Sequence, residues 1–304
     1  MGWAILAKGA LSRIAALPLL PVSITLGALL PLGPPGIEPG AWAAEEQPSP
    51  RQPAGPPLLL TCSEGPLSPD RGMVRAENNA WGKGKLKGWR QCIGLASNGP
   101  GQGVTARWTW DWLDAGDNVK AYPELIVGTK PGSAPTTRSL PRRLSQLGQL
   151  QARLDLESRR NGSGNLAFDL WLTSTASPSH FGVPPISHEL MIWRDAFGSM
   201  QPAGQRRATV RIDGRIYDLY VKDRHGDGWR YIAYVPRAFG VNPATRAAGR
   251  FRDTAKINLK AFLEDGLARK LFSGKAFLAS VELGNELISG QGETLVHHYS
   301  LAIK

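Results

Sequence analysis

The chain has 304 residues, 42% hydrophobic and 20% charged, which is enough for a sizeable core and too apolar for general disorder. Lys and Arg number 36 against 25 Asp and Glu, a formal net charge of +11 that admits nucleic acid, an anionic membrane or an acidic polymer as partner. The basic residues are scattered, from Arg71, Arg75, Lys83, Lys85 and Lys87 to Arg206 and Arg207, with no helical basic stripe and no RNA-binding aromatic signature. They read as a solvated basic surface, and no nucleic-acid partner is expected.

At the N-terminus, Lys8 and Arg13 precede an apolar run from Ile14 to Leu32, and Ala41-Trp42-Ala43 follows a Gly/Pro-rich stretch. Basic, apolar and small residues in that order form a secretory signal, so residues 1–43 are expected to be a signal peptide cleaved after Ala43 and the product secreted or periplasmic. The alternative is an uncleaved membrane anchor, because the run approaches the ~20 residues that span a bilayer. Pro18, Pro21 and Pro31 interrupt it as a continuous helix. No second run of that length follows, so no stable membrane insertion is expected after cleavage. Residues 44–60 are Pro-rich and read as an extended linker; residues 61–304 then form one domain, expected to be monomeric.

Cys62 and Cys92 are the two cysteines, an even count in a chain that carries an export signal pattern, which predicts a disulfide. Two buried thiols are the alternative. There is no CxxC, no His pair at helical spacing and no GxGxxG after a strand, so neither a metal nor an organic cofactor is expected.

From Cys62 onward the dominant period is two. Val104, Ala106, Trp108, Trp110 and Trp112 alternate with polar residues, the pattern of a half-buried strand. Leu166, Phe168, Leu170 and Leu172 alternate with Ala167, Asp169, Trp171 and Thr173, so Asp169 and Trp171 share the face opposite the aliphatic one. Asp213-Gly214 between two strand-like runs predicts a hairpin, and Trp229 to Pro236 continues the meander. One helix is predicted, Asn258 to Lys270, with Leu259, Phe262, Leu263 and Leu267 at helical spacing. Many strands and one helix imply an all-β sandwich or jelly roll of two curved antiparallel sheets with the helix packed outside.

The carboxylates carry the candidate chemistry. Alternation places Glu189, Met191 and Trp193 on one face of a strand, with His188, Leu190 and Ile192 on the other. A second run, Ala276 to Ile288, places Ser280, Glu282, Gly284 and Glu286 on one face. Two carboxylates on facing or adjacent strands of a concave sheet, bordered by flat aromatic rings, suit glycosidic cleavage. The rings stack on sugar faces while one acid protonates the leaving oxygen and the other carboxylate attacks or activates water.

Seven stretches occur in order along the chain: Asn78-Asn79-Ala80-Trp81-Gly82, Gln91-Cys92-Ile93, Trp108-Thr109-Trp110, Val119-Lys120-Ala121-Tyr122-Pro123, Phe168-Asp169-Leu170-Trp171-Leu172, Glu189-Leu190-Met191-Ile192-Trp193 and Val281-Glu282-Leu283-Gly284-Asn285-Glu286. Together they resemble glycoside hydrolase family 12, the endo-β-1,4-glucanases and xyloglucanases, from Cys62 to the C-terminus. The resemblance implies a β-jelly roll with a long cleft, β-glucan as substrate and retention of anomeric configuration. It implies Glu189 as nucleophile, Glu286 as general acid/base and Asp169 as a third acid hydrogen-bonded to the nucleophile. Trp81 resembles an indole that stacks on a glucosyl ring, with Asn79 nearby, and Met191 and Trp193 resemble residues that flank the reacting sugar. Trp171 and Glu282 are further candidate substrate contacts, and Cys62 with Cys92 matches a disulfide common in the family.

Some positions depart from the pattern. Leu287-Ile288-Ser289 follow Glu286 where many members carry Pro or a bulky aromatic, and Pro184-Pro185 precede the nucleophile strand. Glu282 reads either as a perturber of Glu286 or sugar contact, or as a charge near the strand's end. His188 is expected to be packed, and His180, His225, His297 and His298 show no metal-ligand grouping. Two other classes compete: a β-glucan-binding jelly roll with idle acids, and a basic structural protein of the cell envelope.

Overall fold

The computed structural model describes residues 58–68, 73–130, 134–176, 186–226, 228–237 and 249–304. The expected signal peptide, most of the expected linker, His180 and Pro184-Pro185 lie outside them. In chain order the described residues form β1 (Leu59–Thr61), β2 (Gly65–Leu67), β3 (Arg75–Asn78), β4 (Arg90–Ser97), β5 (Val104–Trp112), β6 (Glu124–Gly128), β7 (Arg142–Arg143), β8 (Leu150–Arg160), β9 (Ser163–Thr173), β10 (Ile186–Phe197), β11 (Gln205–Ile212), β12 (Arg215–His225), β13 (Trp229–Pro236) and β14 (Gly249–Asn258). Helix α1 (Leu259–Ala268), β15 (Phe277–Gly284) and β16 (Leu287–Ile303) complete the chain. Strand β1 begins inside the stretch read as linker: Leu59 and Leu60 pair with Leu95 and Gly94 of β4, so the folded domain starts earlier than position 61.

Hydrogen bonding orders one sheet as β1-β4-β5-β16-β8-β14 and the second as β2-β3-β6-β15-β9-β10-β13-β12-β11, with β7 against the end of β15. All these pairs are antiparallel except β10 with β13. Strand β16 joins the sheets, because its first residues pair with β9 at Leu287↔Gly164 before the rest runs between β5 and β8. Alternation sorts the side chains: Phe168, Leu170, Leu172, Leu190, Ile192 and Ile232 of the second sheet meet Ala106, Trp108, Leu154, Leu156 and Val296 of the first in one buried core. The polar residues of the same strands are thereby forced onto the opposite face of the second sheet.

Local signals position the turns and the helix. Asp213 and Gly214 both take positive φ (49° and 78°), as a two-residue type I′ hairpin requires, and join β11 to β12. Asn258 caps α1 by accepting a hydrogen bond from the Ala261 backbone N–H at 3.3 Å. Leu259, Phe262 and Leu263 of α1 enter the core, with Phe262 edge-on to both Tyr217 and Tyr234.

Cys62 and Cys92 form a disulfide that ties the β1–β2 connection to β4. Behind it Asn78 and Gln91 are buried and bonded to each other (2.9 Å), and Gln91 also accepts from the indole of Trp112. The following turn, Asn79 to Gly82, needs glycine at its end because a Cβ on Gly82 would lie 2.1 Å from the Val119 carbonyl oxygen. This packing leaves Trp81 pointing into solvent, 65% exposed.

Ala276 to Ile288 is not one continuous strand. Strand β15 ends at Gly284 and β16 starts at Leu287, so Asn285 and Glu286 occupy the crossover between sheets. Asn285 turns inward and accepts from Trp108 Nε1 and Thr294 Oγ1, both at 2.8 Å. These buried bonds explain why alternation is broken just before Glu286.

Candidate active site

The face of the second sheet turned away from the core carries acids on four successive strands. Register sets Glu282 of β15 opposite Asp169 of β9, and Met191 of β10 opposite Asp169 on the other side. Glu189 is two residues before Met191 and opposite Trp171 of β9 and Tyr231 of β13. Glu124 of β6 pairs with Gly284, two residues beyond Glu282. Glu286 joins them from the crossover. Asp169, Glu189 and Glu282 are 4%, 6% and 1% exposed, whereas Glu286 is half-buried.

Each acid has a distinct set of partners. Glu189 Oε2 accepts from Trp229 Nε1 at 2.6 Å. Glu286 Oε2 accepts from Asn165 Nδ2, while the Glu286 backbone N–H donates to Asn165 Oδ1 (3.2 Å) and its carbonyl accepts from the Asn165 backbone (2.9 Å). Asn165 therefore fixes both the carboxyl and the backbone of Glu286. Glu282 accepts from Trp171 Nε1 (3.1 Å) and Ser280 Oγ (3.0 Å). Glu124 accepts from Asn79 Nδ2 (3.0 Å) and pairs with Lys130. Asp169 Oδ1 is buried and has no hydrogen-bond partner among the described residues.

Burial makes this cluster resist full ionisation. The Glu189 carboxyl is pushed up to about 8 by burial and by the charge of Glu286, against the pull of the Trp229 hydrogen bond. Glu286 is pushed up to about 7 by burial, opposed by Asn165. Asp169 rises well above the carboxylate range through burial and then through Glu189, Glu282, Glu286 and Glu124. Glu124 rises likewise, from burial and the neighbouring Glu282 against Lys130. For Lys130, burial disfavours the ammonium but Glu124, Glu282 and Glu77 outweigh it and raise its pKa. Acid and base titration in such a group belongs to the cluster rather than to any one member.

Not every expected substrate contact is open. Met191 and Trp193 share the face of Glu189 but are buried in a small apolar cluster with Ala167, Ala196, Met200, Tyr231 and Ala233. Trp171 is half-buried and meets Trp229 edge-on at 5.4 Å. His188 is packed, as expected, with its ring against Phe272. Among the described residues no group of His, Cys, Asp and Glu is arranged to hold a metal ion.

The sequence profile of glycosyl hydrolase family 12 matches residues 73–304. The chain belongs to that family. It is a glycoside hydrolase and a glycosidase acting on β-glucans. Endoglucanase S of Pectobacterium parmentieri is 28% identical over 231 residues, spanning 75% of this chain and 80% of that protein. Endoglucanase cel12A from Rhodothermus marinus is 26% identical with a TM-score of 0.62, covering 81% of this chain and 99% of that one. A native family 12 xyloglucanase from Bacillus licheniformis shares the fold, with a TM-score of 0.66 at 23% identity over 81% of this chain and all of that one.

Three residues of this family 12 hydrolase's site escape the sequence reading: Asn165, Trp229 and Glu124. Each lies at even spacing from a residue already on the site face, Asn165 four before Asp169, Trp229 two before Tyr231, and Glu124 two before Ile126, which pairs with Glu282. Extending the alternation to the strand ends would find them.

Proposed function

We propose that the chain is a secreted, retaining endo-β-1,4-glucanase that cleaves by double displacement. The observation that carries this reading is the pairing of Glu189 and Glu286. The buried carboxyl of Glu189 feels the charge of the half-buried Glu286, and each is anchored by a neutral donor, Trp229 or Asn165. In the first step a Glu189 oxygen bonds to the anomeric carbon, the glycosidic C–O bond breaks, and the leaving oxygen takes the proton of Glu286. In the second, water adds to that carbon as Glu286 takes a water proton, and the Glu189 carboxylate is released. Neutralising Glu189 as an ester removes the charge that opposes ionisation of Glu286, which suits Glu286 to act as acid first and base second.

Burial raises both carboxyls, so the pair retains protons toward neutrality and titrates as a unit. The form with Glu189 ionised and Glu286 protonated is reactive. Trp81, exposed beside Asn79, supports stacking of a glucosyl ring, and the N-terminal signal pattern supports export.

Hydrolysis of a soluble β-1,4-glucan, followed by reducing ends and by the anomer first released, tests the reading. The native enzyme is expected to release β-anomer first, and Glu189→Gln and Glu286→Gln are expected to lose about 10³-fold or more in kcat while remaining folded. Near-normal turnover in either variant, or initial release of the α-anomer, overturns it.

A further inference from the structure

Glu189 takes its hydrogen bond from Trp229, and the indole is itself constrained from several sides. Trp171 meets it edge-on at 5.4 Å and 79°, and His225 makes a second edge-on contact at 5.9 Å and 81°. Gly226 leaves room for the ring, since a Cβ there would lie 2.0 Å from Trp229 Cη2. Trp171 is anchored in turn, its Nε1 bonded to Glu282, whose other oxygen accepts from Ser280. A chain of contacts thus runs from β15 through β9 to the first residue of β13 and ends on one carboxylate oxygen.

We propose that Trp229 is the positioning residue of the nucleophile, and that Trp171, Glu282 and Gly226 hold its ring in place. The proposal rests on Glu189 being the nucleophile. An indole N–H donates and cannot accept, so it favours the ionised carboxylate and takes no proton from it. By occupying Oε2 it fixes the rotation of the group and leaves Oε1 to attack. The other titratable groups that interact with this carboxyl are Asp169 from β9, Glu286 from the crossover and Tyr231 from β13, while His225 of β12, beside Lys222, packs on Trp229 and Tyr231 and Glu282 of β15 lies beyond Asp169. Burial and the charge of Glu286 oppose ionisation of Glu189, which gives the Trp229 donor its importance. This arrangement also assigns Glu282 a role the sequence left open: it orients Trp171.

The test is the pH profile of kcat and KM for Trp229→Phe, which keeps a ring and deletes the donor, and for Gly226→Ala, which displaces the ring without touching the site. Both are expected to remain folded and to lower kcat about 10- to 100-fold with KM little changed. In both, the acid limb, set by ionisation of Glu189, moves to higher pH. An unchanged kcat and acid limb in whichever variant folds overturns the proposal, as does a rise in KM alone, which would make Trp229 a sugar contact. Glu189→Gln separates the two ideas. Retained hydrolysis there removes the nucleophile reading itself, while an inactive Glu189→Gln beside an unperturbed Trp229→Phe removes only the role of Trp229.

Discussion

Asn165 shows how much of the behaviour of Glu286, the proposed acid, is set by a neutral neighbour. Its side-chain amide donates to the Glu286 carboxyl and its oxygen accepts from the Glu286 backbone, so one residue holds the acid's proton balance and its location. Because that donation pulls the Glu286 pKa down, Asn165→Ala is expected to raise it. The alkaline limb of the kcat profile, where the acid loses its proton, should then move to higher pH, with a loss in kcat of about 10-fold or more from the loosened crossover. An alkaline limb that stays in place would show that Asn165 only braces the backbone. Glu189 supplies a stability test of the same site. In the folded chain burial and the charge of Glu286 raise its pKa to about 8 as part of the coupled cluster, against an ordinary value of 4.5, so between these pH values the folded state binds more protons than the unfolded one. Its contribution to stability is therefore complete below pH 4.5 and is lost as pH rises toward 8. Glu189→Gln is expected to melt several degrees above the native protein at pH 8 and level with it at pH 4, by calorimetry. An equal difference at both pH values would sink the assignment of burial as the cause. These residues were partly legible: alternation put Asp169, Trp171 and Glu189 on one face, but it cannot report which donor reaches which acid across strands distant in sequence.

At the scale of the element, strands with strict alternation and a clear turn were readable almost to their ends. Val104 to Trp112 is β5, and Asp213-Gly214 is the turn of a hairpin. The failure came at Asn285-Glu286, where period two continues in the sequence but the chain leaves one sheet for the other. Long-range hydrogen bonds from Trp108 and Thr294 decide that break, and no local signal encodes them. Glu286, the proposed acid, sits at that break, where the crossover exposes it more than a mid-strand position would. Strand β1 was also missed, because three residues after a Pro-rich stretch carry too little pattern to be told from linker. Its attachment is covalent as well as hydrogen-bonded, since Cys62 immediately follows it. Closing a loop across 30 positions stabilises by about 3–4 kcal/mol in the chain-entropy model. Cys92→Ser is accordingly expected to lower the melting temperature by roughly 5 °C or more. Thermal unfolding with and without reductant checks this, and a native protein insensitive to reductant in the unfolded state would count against the link.

Across the whole molecule, two sheets must stay in register for an acid on the second to meet an acid on the chain crossing to the first. The apolar core supplies most of that cohesion without direction. Direction comes from two bidentate ion pairs that span the sheets, Arg160 of β8 with Asp195 of β10 and Arg194 of β10 with Asp253 of β14. Both involve a bulge after Trp193 that shifts the register of β10 against β9 and brings consecutive residues to opposite partners. Arg194 and Asp253 are each less than a tenth exposed, so removing one leaves the other charge without its partner inside the protein. Asp253→Ala is expected to destabilise by about 3–5 kcal/mol, whereas Arg194→Met with Asp253→Leu should recover most of that loss. If the pair also sets the alignment of the sheets, the double variant will regain its melting temperature yet show a lower kcat, because apolar side chains fill the space without imposing one register. Recovery of both stability and turnover would mean that packing alone aligns the two carboxyls and that the ion pair contributes only to the folded state's energy.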